Sequence, residues 1–162
     1  MTLFQKNAVL SCFVLALAGT GSAQQLATKK ALTLDIAKRI AAAAEAEALK
    51  NKWTMFICVV DDSGTPIFVE RIDETQLASF EVSIEKARTA VFFKRPTKAL
   101  EDAVAGGRNV VLKLASMPVE GGIPILVDGK VIGAVGVSGG TSPQDAQVAQ
   151  AGINAVEAIL KR

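Results

Sequence analysis

The sequence predicts an α+β domain in which helices cover a mainly antiparallel sheet. Two observations carry this. Short β-rich runs are joined by hairpin turns rather than by βαβ crossovers, and the predicted elements run α-β-β-α-α-(β)-β-β-α. Half of the 162 residues are hydrophobic and only 21% are charged, ample for one packed core at this length and far from the composition of a disordered chain.

The N-terminus reads as an address. Met1–Lys6 carries one positive side chain, an apolar run follows from Ala8 to Ala18, and Gly19, Thr20, Gly21, Ser22 and Ala23 are small. This is the pattern of a secretory signal peptide, and its apolar run is too short for a membrane span. Cleavage is expected after Ala23, leaving residues 24–162 as the domain in a periplasmic or secreted setting. Cys12 leaves with the signal and Cys58 stays, alone in an apolar run, as an inert packing thiol with no internal disulfide.

Ala31–Asn51 reads as a helix that Thr33 can cap, with Leu32, Ile36, Ile40, Ala44 and Ala48 at helical spacing. The alanines between Ala41 and Ala46 permit close packing on a sheet. Met55–Val60 is a buried strand, Asp61-Asp62-Ser63-Gly64 a turn, and Pro66–Arg71 the partner strand. Thr75–Phe93 is a second helix with Leu77, Phe80, Ile84, Ala87 and Val91 on one face. Pro96 stops it, and Thr97 can cap a shorter helix through Val104 that ends at Gly106-Gly107. Asn109–Ala115 leans toward extended structure. Ile123–Val127 and Val131–Val137 flank Asp128-Gly129, a two-residue hairpin signal. Ser142–Leu160 closes the chain as a helix, with Ser142 as N-cap, Pro143 in the first turn, Asp145 completing a capping-box-like pair, and Val148, Ala151, Ala155 and Ile159 as its face.

Composition removes several chemistries. The chain has no histidine, so a Ser–His triad, a His–Asp dyad and a His-ligated metal are impossible. A net charge of +2 with seven Phe, one Trp and no Tyr makes no case for nucleic-acid binding. Gly136-Val137-Ser138-Gly139-Gly140 has the G-x-S-x-G spacing of a nucleophile elbow, but Ser138 has no histidine base and a structural turn is the better reading. The same segment could bind an anion where backbone N–H groups converge at the start of the last helix. Glu120-Gly121-Gly122-Ile123-Pro124 is a second glycine site, where backbone can approach a ligand closely or simply lead into an edge strand. Arg71, Asp73, Glu81, Lys86 and Arg88 form either a solvated, ion-paired surface or a charged rim that grips ligand carboxylates.

The runs VVDDSGTPIFVERID, SIEKARTAVFF and GGIPILVDGKVIGAVGVSGGTSPQDAQVAQAG resemble the GlcG/HbpS-like family, the haem-degrading domain that also forms the C-terminal part of PduO-type proteins. The resemblance covers roughly the whole of residues 24–162. It implies a profilin-like, α/β/α-layered fold with a five-stranded antiparallel sheet, a homo-oligomer, and binding of haem or a related small ligand. The family's R-x-D falls on Arg71 and Asp73, and its K-A-x-x-A on Lys86, Ala87 and Ala90. Its G-G-x-P falls on Gly121, Gly122 and Pro124, its G-V-S-G on Gly136 through Gly139, and its q-D on Gln144 and Asp145. Two departures matter. Glu74 and Thr75 stand where the family commonly has glycine, and the histidine used by haem-handling members is missing. Met117 is then the candidate axial donor, with Lys86, Arg88 or Arg71 on propionates.

The expected function is therefore small-ligand binding, with haem or a related tetrapyrrole or anionic ligand as cofactor. The ligand-contact set is Arg71, Asp73, Glu81, Lys86, Met117, Gly121, Gly122, Pro124, Ser138, Gly139 and Asp145, with no metal ligands, no nucleic-acid partner and no membrane partner after processing. Two other readings stand beside it: a structural or interaction subunit without ligand, and a small-acid-converting enzyme pairing Asp73, Glu81 or Asp145 with Lys86.

Overall fold

The computed structural model describes residues 26–160; the expected signal peptide and its cleavage point lie outside the described residues. The elements are α1 (Leu34–Lys50), β1 (Phe56–Asp61), β2 (Pro66–Arg71), α2 (Ser79–Phe93), α3 (Lys98–Ala105), a 3-10 helix (Asn109–Lys113), β3 (Gly122–Val127), β4 (Lys130–Ser138) and α4 (Ser142–Leu160). The class is α+β, as expected. The strands form one four-stranded sheet in the order β2-β1-β4-β3, every pairing antiparallel.

The sheet has four strands rather than five because Asn109–Lys113 coils into the 3-10 helix instead of extending. Only Val111 of that run is buried; Val110 and Leu112 face outward. Thr97 exchanges hydrogen bonds with Gly122 at the start of the β3 edge (Thr97 N–H to Gly122 O, Gly122 N–H to Thr97 Oγ1, both 2.9 Å). Thr97 is thus a clasp and not the side-chain cap expected for α3.

The two faces of the sheet carry separate cores. On one, α1 and α4 pack Ile40, Ala44, Val148 and Val156 against Met55, Ile57, Val59, Val135 and Val137. On the other, α2 packs Ile84, Ala87, Ala90 and Val91 against Cys58, Val60 and Ala134. Burial pushes the Cys58 thiol up to about 12. Small residues let the helices come close: a Cβ at Gly136 would lie 2.0 Å from the Ser83 carbonyl oxygen of α2. Thr33 caps α1 through the Ile36 N–H, as its position predicts (3.3 Å).

Three local expectations change. Helix α2 starts at Ser79, not Thr75, because Thr75 closes a turn onto the Ile72 carbonyl. Leu77, left in the turn before the helix, is exposed, and Phe80 in the first turn of α2 is partly exposed with its ring edge-on to Phe56 at 5.6 Å. Glu74 adopts φ 63°, the left-handed conformation a glycine takes easily, so the departure from the family pattern keeps a left-handed bend. On α4 the buried stripe is Asp145, Val148, Ala149, Gly152 and Val156; of the expected face Val148 is buried, Ala151 and Ala155 are half-buried, and the Ile159 side chain lies outside the described residues. The Asp128-Gly129 hairpin forms as expected, with both residues at positive φ (51° and 72°).

Candidate functional site

A cleft of about 330 Å³ opens where β3 begins, between the start of α3 and the first turns of α4. Gly121 and Gly122 form its floor, Pro96, Ile123, Pro143 and Ala146 its apolar walls, and Lys98, Glu120, Gln147 and Gln150 its polar rim. The floor has to be glycine. Gly121 sits at φ 126°, and a Cβ on Gly122 would stand 2.3 Å from the Lys86 carbonyl oxygen. Beneath the floor lies an ion pair. Lys86 Nζ donates to Asp145 Oδ2 at 2.6 Å, and the two side chains are 2% and 3% exposed. A Cβ on Gly121 would meet that nitrogen at 2.9 Å and both Asp145 Cβ and the Val137 carbonyl oxygen at 2.8 Å, so only glycine lets the chain pass over the pair, which does not itself line the cleft.

Asp145 does not cap α4 in the expected way. Gln144 accepts from the Thr141 N–H at 2.9 Å, placing the reciprocal bond one residue earlier, while Asp145 turns inward. Its Oδ1 accepts from the Gly140 N–H at 3.0 Å, with the Gly139 N–H assisting. The amides at this glycine bend, expected to be open to a guest anion, are therefore already engaged by the chain's own carboxylate. Burial pushes the Asp145 carboxyl above its ordinary range; the Lys86 ammonium and the two backbone N–H groups pull the other way without cancelling it.

Of the residues singled out in the sequence, Lys86, Gly121, Gly122, Gly139 and Asp145 come together at or under the cleft. Ser138 is buried at the end of β4 opposite Phe56, beside this group but outside the cleft lining. Pro124 is buried one residue beyond the lining residue Ile123. The others lie apart. Arg71 ends β2 with its guanidinium 5.8 Å from the Phe56 ring centroid and donates to the Thr75 carbonyl; Asp73 and Glu81 are exposed. Met117 is half-buried in the loop before β3, its N–H held by Thr89 Oγ1 at 2.8 Å, and does not line the cleft. Lys86 has Asp145 as its partner, and no hydrogen bond joins it to Asp73 or Glu81 among the described residues.

Sequence reasoning did not select Lys98, Gln147 and Gln150. Pro143, Ala146, Gln147 and Gln150 recur at helical spacing on one side of α4, a legible stripe that lacked a reason to be functional until α3 was seen facing it. The rim carries little pull on anions. Lys98 is paired with Asp102, and Glu120 and Glu101 stand close by.

Haem, implied by the resemblance, meets a mixed fit. Haem iron takes His, Cys, Met or Tyr ligands, and the cleft lining holds none of them. Cys58 and Met55 are fully buried in the core. Axial ligation from this cleft does not fit. No group of three or more His, Cys, Asp or Glu is placed to hold a metal ion among the described residues.

Known proteins show the same frame. Protein GlcG of Escherichia coli K12 is 44% identical over 112 residues, 68% of this chain and 84% of its own. The crystal structure of a PduOC–heme complex superposes with a TM-score of 0.71 at 31% identity, covering 78% of this chain and 95% of that one. A Streptomyces reticuli HbpS double mutant superposes with a TM-score of 0.74 at 28% identity over 91% of this chain and 98% of its own. The family model described as "Haem degrading protein HbpS-like" matches residues 32–154, from the residue before the α1 cap to the fourth turn of α4, and the chain belongs to that family.

Proposed function

We propose that this protein binds a small haem-related ligand, a tetrapyrrole bearing carboxylates, in the cleft over Gly121 and Gly122, and that it does so without an axial protein ligand to iron. The cleft itself carries the reading: an apolar-walled opening floored by two glycines directly above a buried cation. The relative solved as a heme complex at 31% identity supports the ligand class. At about 330 Å³ the cleft is at the low end of the 300–1,000 Å³ that encloses drug-sized ligands, so it takes one edge of a macrocycle. Assembly of copies into a homo-oligomer would cover the rest, and export by the N-terminal segment would set the protein to work in the periplasm or outside the cell.

Titration with hemin tests the ligand. A saturable Soret change at micromolar protein is expected, lacking the features of histidine ligation; no change would remove haem from the reading. Light scattering on the eluting protein reads the assembly, and a monomer would refute it. Fractionation of cells expressing the full chain reads export, which protein retained in the cytosol at full length would refute.

A further inference from the structure

Between α2 and β3 the chain makes an excursion whose two roots, Lys98 and Glu120, both stand on the rim of the cleft. From Lys98 to Glu120 only Leu100 and Val111 are buried. Around Val111 the large apolar side chains Val110, Leu112 and Leu114 are 62%, 59% and 45% exposed. Burying Leu100 and Val111 offsets little of the conformational entropy lost in ordering so long a segment. Its polar groups are also incompletely served: Ser116 Oγ is the one buried side-chain oxygen or nitrogen without a hydrogen-bond partner among the described residues. Large apolar side chains clustered on a surface mark a contact site. Charge divides along the same excursion. Arg108 and Lys113 flank the apolar tip, exposed and without an ion-pair partner among the described residues. At the roots, Glu101, Asp102 and Glu120 outnumber Lys98.

We propose that this excursion is the docking surface for a second copy of the chain: across a two-fold axis, the tip at 108–114 of each copy lies on the acidic rim of the other's cleft. The charges select the occupant. Tip and rim are complementary and belong to one chain, so two copies satisfy each other reciprocally. An anionic lipid surface suits the basic tip but is repelled by the acidic roots. The inference rests on the assembly reading above and adds which surface joins the copies. Each partner brings Val110 and Leu112 as apolar cover to the other's cleft.

Light scattering over a concentration series of the purified protein reads the association. The unaltered protein is expected to be a dimer or a multiple of one. Leu112→Glu/Leu114→Glu changes only exposed side chains and is expected to raise the dissociation constant roughly tenfold or more. Arg108→Glu/Lys113→Glu sets like charges against the rim and is expected to weaken association by roughly the same factor of ten; adding Asp102→Lys and Glu120→Lys restores it. A monomeric parent overturns the assembly reading and this inference together. An oligomeric parent whose association is unchanged in either double variant, or whose charge reversal is not rescued, overturns this inference alone. So does co-sedimentation with phosphatidylglycerol vesicles that Leu112→Glu/Leu114→Glu abolishes while the assembly stays intact, because the tip then serves a lipid surface. Should Leu112→Glu/Leu114→Glu fail to fold by circular dichroism, the charge reversal and its rescue decide.

Discussion

Replacing Lys86 by Met removes the charge and keeps the length, leaving Asp145 as a lone carboxylate beneath the cleft. At 2.6 Å the pair's Coulomb attraction is about 6 kcal/mol at an effective dielectric of 20. Desolvating both ions consumes several kcal/mol each, so the pair itself contributes little net stability. Losing one partner is different, because the survivor keeps its desolvation cost without compensation. Its cheapest response is to take a proton. From an ordinary Asp value near ~3.9 this costs about 4 kcal/mol at pH 7, which agrees with the roughly 3–5 kcal/mol typical of broken buried pairs. The sign is fixed. The native carboxyl of the variant holds a proton that the unfolded one releases, so the variant loses stability as pH rises above about 4 and recovers it on acidification. Urea unfolding of Lys86→Met, Asp145→Asn and the double variant at several pH values between 4.5 and 7.5 reads this directly. The double variant is expected within about 1.5 kcal/mol of the parent. A Lys86→Met penalty below about 1 kcal/mol at pH 7, or one that does not change with pH, would refute the reasoning.

Gly136→Ala should destabilise by about 3 kcal/mol or more by the same unfolding assay, since its methyl would meet the Ser83 carbonyl oxygen and the Ala87 nitrogen of α2, both backbone atoms; a cost below about 1 kcal/mol would mean that α2 can lift freely. With its thiol held at about 12, Cys58 should resist a thiol reagent at pH 8 in the native protein and react in denaturant, tested in a Cys12→Ser chain. Because the native thiol keeps its proton longer than the unfolded one, the stability it contributes is present below pH 9 and is lost as pH rises from there toward 12. Met117→Leu should leave the hemin Soret band unchanged, because Met117 does not line the cleft; a shifted band would restore it as an axial donor.

Much of the fold was legible because it follows from local chemistry. The Thr33 cap, the Asp128-Gly129 hairpin and the β-rich run through Cys58 need only neighbours a few residues away. The run Asn109–Lys113 coils although its β-branched valines suit a strand, because a strand needs a partner edge and a buried face, and only Val111 of this run is buried. Helix α2 was given four residues too many for a related reason: Thr75 spends its hydroxyl on Ile72, a competition between turn and helix that spacing does not display.

The candidate site divides in the same way. Composition alone settled that no histidine could act here, since that depends only on which residues exist. The glycine pair at 121–122 was recognisable as a place of close approach, because absence of a side chain is written in the residue itself. What approached it was not. Lys86 and Asp145 are 59 residues apart, and only the packing of α2 and α4 on opposite faces of β4 brings the two tips together in a dry space. Burial turned a lysine that reads as surface charge into the cation under the cleft, and it turned a presumed helix cap into that lysine's partner. Solvent exclusion is a property of the assembled layers, and no stretch of sequence carries it by itself.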